Sequence, residues 1–213
     1  MKFAPLLLAA TLASLVSCGQ PEAPAEPPPA PIAEAPAPIP VKVVLVTMFE
    51  IGEDTGDTAA EFQLWKERRN LSEVYEFGGF HDLHFDPATG LLVMVTGIGT
   101  ANSAASVMML GMDPRFDLTK AYWLVAGIAG FDPADASIGS AAWASYAVDG
   151  DLSHEIDPRE MPADWPYGYF ARYTQKPFDV ENKPAPTGEM FALDPGLTEW
   201  AFQLTKDMVL PDI

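Results

Sequence analysis

Apolar residues run almost unbroken through positions 41–47 (VKVVLVT), 91–96 and 121–126. Runs of this length, rich in β-branched residues, predict strands covered on both faces. Between them the spacing turns helical. Positions 58–69 predict a helix, with Asp57 as candidate cap and Phe62 and Trp65 turned inward, and positions 101–110 predict a second. Positions 140–148 alternate like a half-exposed fourth strand. Positions 196–208 predict a closing helix with Leu197, Trp200, Ala201 and Leu204 on its apolar face. Positions 157–186, dense in prolines and aromatics, predict an ordered loop region, a lid or an oligomer contact. The alternation predicts an α/β domain with a mainly parallel or mixed sheet. No internal repeat is visible.

The second and third apolar runs each end in a glycine turn, Gly97-Ile98-Gly99 and Ala126-Gly127-Ile128-Ala129-Gly130. In open α/β sheets ligands bind outside the carboxyl ends of the strands. Glycine lets backbone approach a ligand closely, and the helix starting near Ala101 would present free N–H groups there. Two such turns predict a pocket for a compact, anionic or polyhydroxylated ligand.

The N-terminus has a different character. Lys2, the apolar stretch 6–15 and Leu15-Val16-Ser17-Cys18 predict an export signal over residues 1–18. Its ending on cysteine resembles a bacterial lipobox, so lipidation of Cys18 and a periplasm-facing place at a bacterial cell envelope are expected. Cys18 is the only cysteine, which would leave the mature chain without thiol or disulfide. Residues 19–40 read as a linker. Nine of the twenty positions from Pro21 to Pro40 are proline, which predicts a stiff tether of about 3.1 Å per residue. Residues 41–213 are long enough for one core-forming domain, which is the organisation expected. No later segment reaches the roughly 20 continuous apolar residues of a membrane span, so contact with the membrane is expected through the lipid anchor only. The formal net charge of −18, without any Lys/Arg cluster, argues against nucleic acid as a partner.

The segments VVLVTMFEIGEDTGD, EFQLWKER, VTGIGTANSAASVMMLGMDPRFDL and AYWLVAGIAGFDPADASIGSAAWASYAVDGDLSHEID together resemble the purine nucleoside permease family, from Val41 to the end of the chain. That family is similar to nucleoside phosphorylases and nucleosidases. The resemblance therefore implies a nucleoside-phosphorylase-like mixed sheet flanked by helices, purine nucleosides as ligands and no cofactor. By it, Gly97, Ile98, Gly99 and Asn102 would line the place for phosphate, or for the water or ribose replacing it. Ala126, Gly127, Ala129 and Gly130 would lie beside the base, with Thr47, Met48 and Glu50 as the opposite wall. Gly139 would lead into the strand at 140–148. The related enzymes commonly assemble from several subunits, which implies a homo-oligomer.

Two departures bear on function. Phosphorylases of this kind generally place an arginine in the first turn, where this chain has Glu50, Glu53 and Asp54 and would repel phosphate. The related enzymes also carry a ribose-holding Met-Glu pair and a proton-donating acid beyond the helix matching 196–208, so a missing C-terminal part is expected. The implied function is capture of purine nucleosides in support of uptake, with delivery to a separate membrane transporter. The alternative is cleavage of the N-glycosidic bond by a nucleosidase or phosphorylase, in which Glu50 would activate water.

Other residues are ambiguous in the sequence. Glu50 could equally cap the following turn, and Glu53, Asp54 and Asp57 read as a solvated acidic loop. Asn102 could be a helix cap or a ligand contact. His81 and His84, with Asp86 nearby, lack a further metal ligand at a set place, and Gly78, Gly79 and Pro87 predict a surface loop, so no metal is expected. Asp149, Asp151, His154 and Glu155 lack the EF-hand order and read as a solvated turn. Met108, Met109, Met112 and Trp123 read as core. Trp165, Tyr167, Tyr169 and Phe170 could stack on a base or pack their own loop.

Overall fold

The computed structural model describes residues 36–179, 181 and 190–209, so the export signal, Cys18 and the linker up to residue 35 lie outside the described residues. The chain divides after Ile128 into two compact units. In chain order the first holds β1 (Ile39–Pro40), β2 (Val43–Thr47), α1 (Gln63–Arg68), β3 (Glu73–Tyr75), β4 (Leu83–Asp86), β5 (Leu91–Val95), α2 (Thr100–Gly111), β6 (Phe116–Asp117) and β7 (Tyr122–Val125).

Five strands form one sheet in the order β3-β4-β5-β2-β7. β5, β2 and β7 are parallel, while β3 and β4 join antiparallel. This is the mixed sheet of an α/β chain that the alternation predicts. Side chains alternate across the sheet with period two. Val44, Val46, Leu92 and Met94 pack on one face with Leu83, Phe85 and Leu110 of α2. Leu45, Val93 and Val95 pack on the other with Phe62 and Leu71. Both faces are covered, which is why β2 and β5 read as unbroken apolar runs. β1 pairs parallel with β6, and the N–H groups of Ile39 and Val41 donate to Arg115 and Asp117 carbonyls. Pro40 falls between those donors, where no N–H is needed.

Four expectations for this unit are corrected. Residues 76–82, with Gly78, Gly79 and His81, do form a loop, but the strands on either side of it, β3 and β4, are a limb of the main sheet, and His84 there pairs with Val93 and is buried. These strands are only three and four residues long, too short for alternation to show against the glycines between them. The first helix starts at Gln63, because the N–H groups of Ala60, Phe62 and Gln63 are taken by Glu50 and Asp57 does not cap it. Met108, Met109 and Met112 are exposed, since α2 buries only Ser106 and Leu110. Trp123 is 44% exposed because β7 is an edge strand.

In the second unit β8 (Tyr146–Val148) pairs antiparallel with β11 (Met190–Ala192), and β9 (Ser153–Glu155) with β10 (Tyr169–Ala171). The predicted strand at 140–148 thus shrinks to three residues and belongs to a separate two-stranded ladder rather than the main sheet. α3 (Pro195–Thr205) starts with Pro at its first turn, and the Asp194 side chain accepts from the Leu197 N–H. Of its expected apolar face, Ala201 alone is buried, while Leu197, Trp200 and Leu204 are exposed. Trp165 packs edge-on against Phe170 at 5.3 Å, and Tyr167 against Phe178 at 5.6 Å, so these aromatics pack their own loop.

Candidate functional site

The three parallel strands end level with one another. Thr47 pairs with Val95, and Val46 with Val125. The ladder continues one bond further on each side: Thr96 N–H donates to the Thr47 carbonyl and Ala126 N–H to that of Val46, both at 2.9 Å. The two glycine turns therefore leave the same edge of the sheet, on either side of Thr47 and Met48. Ala126, Gly127 and Ile128 stand there, whereas Ala129 and Gly130 open the second unit.

The Gly97-Ile98-Gly99 turn is held from α2. Thr96 Oγ1 lies 3.1 Å from Ser103 Oγ, Ser106 Oγ donates to the Thr96 carbonyl at 3.0 Å, and Asn102 Nδ2 donates to the Ile98 carbonyl at 2.8 Å. Asn102 thus pins the turn rather than capping an amide. Gly97 has φ +83°, and a β-carbon there would lie 2.8 Å from the Phe80 ring. Thr47 is fully buried, its hydroxyl turned 3.4 Å from the Met94 carbonyl. The side of that edge open to solvent is backbone and apolar side chain, with Ile98 and Ile128 each 67% exposed.

Two carboxylates fasten the loop between β2 and α1. Glu61, buried, accepts from the Met48 N–H at 2.7 Å and from the Ile128 N–H at 3.1 Å. One side chain thereby ties the end of β2 to the turn after β7. Glu50 accepts from the N–H groups of Ile51 at 2.9 Å, Ala60 at 2.6 Å, Phe62 at 2.8 Å and Gln63. Burial raises its pKa, but those four donors outweigh it and hold the carboxyl below its usual range. Glu50 therefore caps α1 from across the loop, and all its acceptor capacity is in use. Glu50→Gln replaces one oxygen by an amide that faces N–H groups. The expected cost is about 1–2 kcal/mol in urea unfolding at neutral pH, kept small because solvent reaches the carboxylate. Because the folded pKa is the lower one, this contribution is present above about pH 4.3 and is lost as pH falls through the folded value. The acid side of the stability profile should flatten in Glu50→Gln.

Beside the Gly97 turn lies a cavity of about 400 Å³, lined by Asp54, Val74, Phe77, Gly79, Phe80, His81, Asp82 and His84. β4 runs antiparallel to β5, so the residues leading into β4 arrive at the carboxyl end of β5. His81 Nδ1 donates to the Asp82 carbonyl at 2.8 Å, and its Nε2 faces Asp54 Oδ1 at 2.8 Å. His84 Nδ1 lies 2.8 Å from Lys66 Nζ, and its Nε2 is 3.6 Å from Asp54 Oδ2. Burial, then the Lys66 charge, push the His84 pKa down to about 4, against the pull of Asp54. Fully buried Phe62 supports both imidazoles, at 5.4 and 5.0 Å between ring centres.

Sequence reading missed Glu61, whose setting in Ala59-Ala60-Glu61-Phe62 is the available sign of a buried acid. It also separated Asp54 from the histidines, since His81 comes twenty-seven positions after Asp54. The acid sought near them, Asp86, instead accepts from Ala88 N–H and Thr89 Oγ1 in the following turn.

The family described as purine nucleoside permease (NUP) matches residues 40–213. A protein of Schizosaccharomyces pombe named probable purine nucleoside permease is 34% identical over 192 residues, covering 80% of this chain and 50% of its own length. A purine nucleoside permease of Candida albicans is 30% identical over 177 residues, covering 79% of this chain and 41% of its own. The chain spans about half the length of these relatives or less. No solved structure matches it. The named relatives are fungal, which corrects the expected bacterial cell envelope and periplasm. That expectation rested on Cys18, whereas a basic start, apolar core and small residues mark export signals of any source. With its family match over nearly every position from 40 onward, the chain belongs to the purine nucleoside permease family.

Proposed function

We propose that this chain binds purine nucleosides at the carboxyl edge of β5, β2 and β7 and supports their uptake. The observation that carries the reading is the pair of glycine turns on one sheet edge, braced by Glu61 and bordered by the Phe80 cavity. A purine is flat and apolar on its faces. Ile98, Ile128 and Phe80, 60–67% exposed around glycine backbone, suit it. A ribose presents hydroxyl donors, and the Asp54 and Asp82 carboxylates on the cavity wall suit those. The relatives' names supply the ligand class.

Among the described residues no helix is long and apolar enough to cross a membrane. The step proposed for this chain is therefore binding, with the nucleoside handed to a separate membrane component. Binding is preferred to cleavage because Glu50, the residue best placed in the sequence to activate water, already accepts four backbone hydrogen bonds. Isothermal titration of the full chain with inosine, adenosine and uridine tests this, with chromatography of the recovered ligand. Saturable binding of the purines, weaker binding of uridine and intact ligand are expected. Absence of saturable purine binding, or release of free base, would overturn the proposal.

A further inference from the structure

We infer that Asp54, His81 and His84 form a site for one divalent transition ion of the zinc type, with a coordination position open to the cavity. One oxygen and two imidazole nitrogens lie within 4.8 Å of one another. Two histidines and a carboxylate are a ligand set that zinc takes at about 2.0–2.2 Å, leaving a fourth place for water or substrate. Among the described residues no other group of three or more such side chains is gathered this way.

The surroundings orient the set. His81 Nδ1 donates to the Asp82 carbonyl, which leaves Nε2, 2.8 Å from Asp54 Oδ1 across a shared hydrogen, as the atom that would exchange that hydrogen for the ion. This is the backbone-carbonyl support that metal-bound histidines generally have. Phe62 fixes both rings from beneath, and only 5% of the His84 side chain and 25% of the His81 side chain are exposed. The rings are thus placed before any ion arrives.

Lys66 opposes the ion. Its ammonium donates to His84 Nδ1 at 2.8 Å, which leaves the imidazole hydrogen on Nε2, the coordinating atom. Binding requires that hydrogen to move to Nδ1, the ring staying neutral, while Lys66 turns to its other acceptor, the Leu71 carbonyl at 3.2 Å. Removing the ammonium therefore favours the ion twice over, by freeing His84 Nδ1 to take the hydrogen and by taking a positive charge from beside the site.

The inference does not depend on the nucleoside reading, and its test uses metal alone. The full chain, stripped with chelator, is titrated with zinc chloride by calorimetry, and with cobalt(II) to read d–d absorption. One ion per chain is expected. His81→Ala and Asp54→Asn, on partly exposed side chains, should each weaken binding by more than about ten-fold, with circular dichroism unchanged. Lys66→Gln should tighten it. Absence of saturation, or binding of unaltered strength in the His81→Ala/Asp54→Asn double variant, would overturn the site. Unaltered affinity in Lys66→Gln would overturn the role of His84 as a ligand.

Discussion

Glu61→Ala is expected to abolish purine nucleoside binding and to lower stability by about 1–3 kcal/mol, the range for part-buried N–H groups left without an acceptor. Two such groups lose their partner at once. Met48 N–H, at the end of β2, is bound at 2.7 Å, and Ile128 N–H, in the turn after β7, at 3.1 Å. Ile128 is largely exposed, so water can replace part of its bond, and most of the cost falls at Met48. The larger consequence is geometric. Without the carboxylate nothing else in the described hydrogen bonding joins the Ala126-Gly127-Ile128 turn to the β2–α1 loop, and the ligand would have to order them itself. Glu61→Gln keeps one acceptor and turns an amide towards the other N–H, so it should fall between wild type and Glu61→Ala. Urea unfolding and nucleoside titration on the same samples separate the two effects.

Gly97→Ala is the second large effect. At φ +83° a β-carbon meets the following carbonyl, at about 1–2 kcal/mol. The new atom would also lie 2.8 Å from the Phe80 ring and 3.2 Å from Asn102 Cβ. Phe80 has to leave the turn, and the cavity loses its wall. Gly99→Ala provides the comparison, because Gly99 also has positive φ but its β-carbon would meet nothing within 4 Å. Both variants should lose stability. Gly97→Ala should lose about ten-fold more nucleoside affinity, equivalent to about 1.4 kcal/mol. Equal affinities in the two variants would remove Phe80 from the site.

What was legible in the sequence follows from how each feature is encoded. β2 and β5 are covered on both faces, so their register is written as continuous apolar residues, and their glycine turns mark the ends. The family resemblance lay in the same segments. The β3–β4 limb was illegible because its seven residues straddle glycines and charged positions, and their burial comes from pairing with β5. The start of α1 was misplaced because its cap is Glu50, thirteen positions before Gln63, and no local capping pattern records a carboxylate arriving from across a loop. Asp54 and His81 looked like separate surface groups for the same reason: only the antiparallel arrival of β4 beside β5 brings them together. The exposed Met108 and Trp123 show the converse limit, since apolar spacing says which residues could be buried but not which face finds a partner.

Amide chemical-shift mapping of the isotope-labelled full chain during titration with inosine tests the placement of the ligand most directly. Saturable shifts are expected at Met48, Gly97, Ile98, Gly99, Gly127 and Ile128, together with His81 beside them. Shifts confined to the second unit, or none at saturating inosine, would contradict it.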